Sequence, residues 1–278
     1  MSLQGKTALV TGATDGVGRL VALELARQGA EVLLHGRDAA KGEAVMAQIR
    51  AEVPDARLRF HRADLACLDE VREMARRVLA EHERLQILVN NAGVGLFAGQ
   101  PRTESRDGHE LHFQVNYLSH VLLTLMLLPL LREGAPSRIV NVASVGQAPI
   151  DFDDVMLERD YSGFRAYSQS KLAQIMFTFD LSERLKGTGV TVTALHPATF
   201  MNTNMVSGQG LEPRSRVEDG AAAVFRLAAS PEVEGDTGVY YDRTSLSRAN
   251  DQAYDAGARR RLWALSLKLA AVPAEAVD

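Results

Sequence analysis

Short apolar runs alternate with longer amphipathic stretches along most of this chain, and that alternation leaves few folds open. Thr7-Ala8-Leu9-Val10, Glu31-Val32-Leu33-Leu34-His35, Arg57-Leu58-Arg59-Phe60-His61, Ile87-Leu88-Val89, Arg138 to Val142, Val190 to Leu195 and Val239-Tyr240-Tyr241 read as strands. Helical patterns separate them: Leu20 to Ala26 stopping at Gln28-Gly29, Lys41 to Ala51, Asp69 to about His82, an apolar helix ending near Leu131, and another from about Tyr167 to Lys186. Strand, helix and strand in succession form the βαβ unit, which makes the strands parallel. The expected class is α/β, a doubly wound parallel sheet of about seven strands with helices on both faces. The 278 residues carry no internal repeat and no linker rich in Pro, Gly or Ser, so 1–278 reads as a single domain.

The first strand runs into Thr11-Gly12-Ala13-Thr14-Asp15-Gly16-Val17-Gly18 and then a helix. Without side chains at Gly12, Gly16 and Gly18 the backbone can approach a pyrophosphate, and the helix N-terminus faces its negative charge. Any tight strand-to-helix turn can need a glycine, but three within seven residues after the first strand favour dinucleotide binding and a Rossmann-type sheet. Strand two ends His35-Gly36-Arg37-Asp38, near where an adenosine ribose would lie, with no acid at position 36. A small Gly36 beside a cationic Arg37 favours NADP(H), because a guanidinium binds phosphate through two hydrogen bonds. Asp38 keeps NAD(H) open: it could take the ribose, point to solvent or cap the next helix.

The segment Tyr167-Ser168-Gln169-Ser170-Lys171 pairs a phenol with an ammonium. Positions i and i+4 share one helix face, so Lys171 is expected beside Tyr167, favouring its ionised form. This spacing alone is common on surface helices. Its weight comes from the order in which it follows the glycine turn, an asparagine and a serine.

Taken together, Thr11-Gly12 with Gly16 and Gly18, Asp64-Leu65, Asn90-Asn91-Ala92-Gly93, Asn116, Ser144, and Tyr167 with Lys171 resemble the short-chain dehydrogenase/reductase family over almost the whole chain. The stretch from Asp151-Phe152-Asp153-Asp154 through Tyr161 to Tyr167 is similar to the retinol-dehydrogenase-like group. The resemblance implies a catalytic tetrad of Asn116, Ser144, Tyr167 and Lys171. It also implies cofactor contacts from Gly12, Thr14, Asp15, Gly16, Val17, Gly18 and Arg37, from Asp64 and Leu65 flanking the adenine, and from Asn91, Ala92, Gly93, Tyr167, Lys171, Pro197 and Thr199. By that resemblance Tyr167 exchanges the proton as hydride moves between the nicotinamide and a carbonyl carbon, Ser144 binds the substrate oxygen, and Asn116 holds a water that connects Lys171 to solvent. One departure stands out. After strand six the chain reads His196-Pro197-Ala198-Thr199-Phe200-Met201-Asn202-Thr203, with Ala198 where the family often has glycine and Thr203 one residue late, which leaves the lid shape open.

The reaction implied is interconversion of an alcohol and an aldehyde or ketone, on an apolar substrate if Phe97, Phe164, Met201 and Met205 line a pocket. Alternatives are a non-catalytic nicotinamide-dinucleotide-binding regulator and a carbon-carbon double-bond reductase on the same fold. A net charge of -4 argues against nucleic acid as a partner. The single cysteine, Cys67, reads as a small buried apolar residue suited to a reducing compartment. No secretion signal or animal-type membrane anchor is read at the N-terminus, and Leu118 to Leu131 is short for a transmembrane segment, so a cytoplasmic enzyme is expected. Homodimers or homotetramers follow from the family resemblance. No metal is expected: His109 and His112 lack a placed partner, and the acids at 151, 153 and 154 read as a solvated loop. Residues 146–164 and 197–216 are the candidate substrate walls and lid, and the run from Arg259 to Leu269 is expected to pack on its own domain or a neighbouring subunit.

Overall fold

The computed structural model of the chain describes residues 2–95, 101–203, 206 and 212–273. Strands β1 (Thr7–Val10), β2 (Glu31–Gly36), β3 (Leu58–Arg62), β4 (Ile87–Asn90), β5 (Ser137–Val142), β6 (Val190–His196), β7 (Val239–Asp242) and β8 (Ser245–Ser247) form one sheet in the order β3-β2-β1-β4-β5-β6-β7-β8. All pairs are parallel except β7 with β8, so the doubly wound α/β class stands and the strand count rises to eight. The extra strand follows a two-residue turn in which Arg243 takes φ 56°. Such turns usually announce themselves with Asn-Gly or Asp-Gly, and Arg243-Thr244 carries no such signal. Ser245-Leu246-Ser247 is also exposed throughout, so burial leaves no pattern in it.

Alternating residues send each strand's side chains to two cores. Leu9, Leu33, Leu88, Ile139 and Val192 face one, covered by α3 (Leu68–Glu81), α4 (Ser119–Glu133), α5 (Gly163–Arg184) and α7 (Ala256–Leu269). Ala8, Val10, Val32, Leu34, Val89 and Val140 face the other, under α1 (Gly16–Arg27), α2 (Ala39–Glu52) and α6 (Val217–Ala229). The strand order reverses between β1 and β4, where the crevice beyond the strand ends is the favoured ligand site of an open α/β sheet.

The stretch Phe113–Glu133 is long and apolar enough to cross a membrane, yet 89% of its most apolar window is buried inside the fold. Its first part, Phe113–Leu118, is a π-helical turn that continues into α4. Such turns disturb the regular pairing of carbonyls and recur at functional sites. Cys67 is free and half-buried at the N-cap of α3, not enclosed in a core.

The C-terminal run packs on its own chain. Trp263 stacks on Phe177 of α5 at 5.8 Å, and the Arg184 guanidinium lies 4.0 Å above the indole. Arg261 reaches Asp153 at 3.1 Å and covers the Phe152 ring, so the acids of the 146–164 loop serve partly as anchors for α7. Leu262 of the same helix is 1% exposed and belongs to the core that α3, α4 and α5 cover. Leu262→Ala should therefore cost about 3 kcal/mol, as buried leucine truncations do. Urea unfolding followed by the fluorescence of Trp263, the chain's one tryptophan, measures it.

Candidate active site

The turn after β1 is closed against the end of β4 with no room for side chains. A Cβ on Gly12, at φ +65°, would stand 2.8 Å from the Ala92 Cα, and one on Gly18 would stand 2.3 Å from the Gly12 carbonyl oxygen. Asp15 caps α1, its Oδ1 accepting from the Gly16 N–H at 2.7 Å, and Val17 is buried just inside the helix. Thr14 passes over the end of β2, where a Cβ on Gly36 would meet its Cγ2 at 2.5 Å. Gly36 is thus required by packing as well as by any ligand. A Cβ-free cradle at a helix N-terminus, set at the sheet's switch point, fits the pyrophosphate of a dinucleotide.

Thr11 ties this cradle to the catalytic side. Its hydroxyl accepts from the N–H groups of Asn91 and Ala92 at 2.9 and 3.0 Å and lies 3.1 Å from His120 Nε2. His120 Nδ1 donates to the Asn116 carbonyl oxygen at 3.0 Å, so Nε2 is the acceptor and the threonine proton points at it. Asn91 adds a donation from its Nδ2 to the Thr11 carbonyl oxygen at 2.8 Å. On the other flank, His35 Nε2 donates to Ala63 O at 3.1 Å while its Nδ1 accepts from the Gly12 N–H at 3.2 Å. Burial pushes His35 down to about 4 and His120 down to about 3, so both imidazoles are neutral.

The four residues of the expected tetrad come together. Asn116 sits in the π-helical turn with Oδ1 accepting from the Val94 N–H at 2.7 Å and Nδ2 donating to Val94 O and Ser170 Oγ. Its backbone carbonyl receives His120, so side chain and main chain are both engaged within the fold. Ser144 follows β5; its Oγ accepts from the Gly146 N–H at 3.0 Å and hydrogen-bonds the Tyr167 side chain. Tyr167 and Lys171 lie one turn apart on α5, with the Lys171 Nζ 5.7 Å from the phenol ring centre. Beside Gly93 the groups converge: its Cβ position lies 3.2 Å from Asn116 Oδ1 and 3.7 Å from Lys171 Nζ.

Electrostatics here run against the expectation that Lys171 lowers the Tyr167 phenol. Burial holds the phenol above its ordinary range, opposed by the Ser144 hydrogen bond. The lysine is itself pushed down to about 7 by burial and donates to Val142 O at 2.8 Å and Gln174 Oε1 at 2.9 Å. Desolvation disfavours the charged form of both partners. His112 packs edge-on to the Tyr167 ring at 6.4 Å and is held by buried Glu110 at 2.7 Å, while His109 bonds Gln114. Both histidines therefore have structural partners.

The cofactor contacts expected further out divide. Arg37 is exposed at the end of β2, and Asp38 caps α2 by accepting from the Lys41 N–H at 3.2 Å. Asp64 Oδ1 closes a turn on the Ala66 N–H, whereas the Leu65 side chain is 2% exposed and belongs to the core. Pro197 is buried, and Thr199 gives its hydroxyl to a contact with His196 Nε2 at 3.0 Å. Phe200 takes φ 45°, and the segment behind it lies over the cradle, with Thr203 Cγ2 3.2 Å from the Cβ position of Gly16. Met201 packs on Gly220 of α6, an ordinary packing role, and Phe164 is 56% exposed one turn before Tyr167. Phe97 and Met205 lie outside the described residues.

Sequence reasoning missed His35, His120, Gln147, Gln174 and Tyr240. Tyr240 donates to the Ser144 carbonyl at 3.0 Å, and Gln147 bonds the same carbonyl while accepting from the Asn250 N–H. The signal was present for His35 and His120, each a polar group in an otherwise buried run that must find a partner. Gln147 and Tyr240 act through contacts about a hundred residues apart and leave no local trace.

Unfolded histidine titrates near ~6.5. Between that value and the depressed folded values the unfolded state binds more protons, so stability must fall as pH drops. At pH 5 the expected loss relative to pH 7.5 is about 2 kcal/mol for each of His35 and His120. Urea unfolding across that range measures it, and His120→Gln should remove about half of the loss.

A family model described as short chain dehydrogenase matches residues 6–213. Retinol dehydrogenase 13 of Mus musculus is 41% identical over 96% of this chain and 84% of its own length. Retinol dehydrogenase 12 of Homo sapiens is 36% identical over 97% and 87%. Among solved structures, an uncharacterized protein from Mycobacterium Paratuberculosis superposes with TM-score 0.81 at 31% identity, covering 97% of this chain and 95% of that one. The Pseudomonas aeruginosa RhlG/NADP active-site complex superposes with TM-score 0.71 at 28% identity over 87% and 95%. This chain belongs to the short-chain dehydrogenase family, as a retinol-dehydrogenase-like, NAD(P)-dependent oxidoreductase acting on CH-OH groups.

Proposed function

We propose that the chain is an NADP(H)-dependent enzyme that interconverts an apolar alcohol and its aldehyde or ketone, with Tyr167 as the acid/base. The observation that carries this reading is the meeting of Tyr167 with Ser144 near Gly146 and, one turn along α5, of buried Lys171 with Asn116 at Gly93 in the loop after β4. A nicotinamide dinucleotide bound there supplies or accepts the hydride. In the reducing direction, charge develops on the carbonyl oxygen; Ser144 stabilises it by hydrogen bonding and Tyr167 delivers the proton. In the oxidising direction Tyr167 takes that proton.

The resting phenol is held high by burial, so bringing it two to three units toward neutrality takes about 3–4 kcal/mol of preferential phenolate stabilisation. Lys171 is the positive charge within reach, and with its own value near 7 its charge declines above neutrality. Asn116 holds the lysine side of the pocket through Val94 and Ser170. NADP(H) preference rests on exposed Arg37 beside Gly36, and on Asp38 being engaged as a helix cap. The apolar substrate rests on exposed Phe164 and Val145 next to the tetrad and on similarity to proteins named retinol dehydrogenases. The same proposal has the whole chain acting as one catalytic unit, in the cytoplasm, as a homodimer or homotetramer.

NADPH and NADH oxidation should be followed against retinaldehyde and a panel of apolar aldehydes and ketones. Tyr167→Phe is expected to lower kcat by about a thousandfold while NADPH still binds. Turnover that survives this substitution removes Tyr167 as the acid/base. Arg37→Glu should raise KM for NADPH by about thirtyfold, the worth of a charge-assisted phosphate contact, and leave NADH unchanged; an equal effect on both cofactors would reject the phosphate role.

A further inference from the structure

At the sheet edge opposite β8, His61 of β3, Glu81 at the end of α3 and His82 just beyond it each present a ligand atom within 4.8 Å of the other two. His61 is 4% exposed, and the Nε2 atoms of His61 and His82 are both buried with no hydrogen-bond partner among the described residues. Two orphaned imidazole nitrogens at one place are unusual, because buried polar atoms nearly always find partners.

The backbone explains how neighbouring residues converge. On a helix, Glu81 and His82 would diverge by about 100°. His82 is instead the C-cap of α3 with extended backbone, φ -134° and ψ 143°, which turns its ring back toward the strand that Glu81 already faces. The last turn of α3 contains no basic residue, so the negative end of the helix is not neutralised by its own side chains and favours a cation. The cluster opens on a surface cleft of about 500 Å³ lined by Arg59, Phe60, His61, Arg62, Arg77 and Glu81.

We propose that His61, Glu81 and His82 bind a divalent transition-metal ion of the zinc class, as a structural clip between β3 and α3. Two imidazoles and a carboxylate are a standard donor set for such an ion, leaving a fourth position for water. Tetrahedral coordination brings ligand atoms to about 3.3 Å apart, so from separations of up to 4.8 Å closure needs at most about 1.5 Å of side-chain movement. Arg59 contacts Glu81 at 3.6 Å but Glu31 at 3.1 Å, and it keeps the second partner when the metal takes the first. Arg62 is paired with Glu70, and Arg77 donates to the Arg62 carbonyl oxygen, which holds both cations to other partners. The clip would steady the strand that leads into Asp64 and Leu65, and it lies outside the tetrad.

The test is a calorimetric titration of the tag-free, chelator-treated full chain with zinc chloride, repeated with cobalt(II) for its tetrahedral absorption bands. One equivalent should bind saturably at micromolar concentration and raise Tm. Glu81→Gln and His82→Asn, both outside the core, should each weaken binding by about tenfold or more with unchanged circular dichroism. Failure to bind zinc in the tens of micromolar overturns the proposal. So does zinc binding of undiminished affinity in both variants, which would place it at other histidines, or stabilisation by inorganic phosphate alone, which would make the arginine-lined cleft an anion site.

Discussion

The hydroxyl of Thr11 is the joint on which the active site depends. It sits at the end of β1, where the strand order reverses, and receives the first two N–H groups after β4 while its proton reaches His120 on the helix that follows. A hydroxyl is one of the few side-chain groups that can accept twice and donate once. Through it, the glycine turn after β1, the loop after β4 and the Asn116 turn are held in one frame. The two neutral histidines extend the frame sideways, His35 to the third strand and His120 to the π-helical turn.

Burial sets the chemistry of the pair on α5. Removing water disfavours ammonium and phenolate alike, so burial keeps Tyr167 protonated and lowers Lys171 to about 7. The fold places a polarisable proton donor beside Ser144 and leaves its ionisation sensitive to any further charge in the pocket. That arrangement needs a rigid Ser144, and rigidity comes from distant parts of the chain: Tyr240 and Gln147 hold its carbonyl, Gln252 clasps Ile150, and α7 anchors the loop through Arg261.

Much of this was legible beforehand because the relevant signals are local. The βαβ rhythm follows from residue periodicity, the glycine turn from three missing side chains, and the Tyr167–Lys171 geometry from helical spacing. Reading stopped where contacts are long-range. The burial of Leu65 in the core and the packing of Met201 against α6 could not be read locally; of the two readings open for Met201, packing is the one the fold shows. Strand β8 escaped because its turn carries no glycine or asparagine and its side chains face solvent.

The sequence by itself determined the α/β class, the glycine turn between β1 and α1 and the one-turn spacing of Tyr167 and Lys171, since each rests on periodicity or on fixed spacing within an element, while Asn116 and Ser144 were named through the family resemblance. Only the tertiary structure decided the protonation balance of Tyr167 and Lys171, the partners that lock Ser144, the cap role of Asp38 and the meeting of His61 with His82. Those depend on desolvation and on which surfaces pack together, quantities that arise when separate segments of the chain are brought into contact.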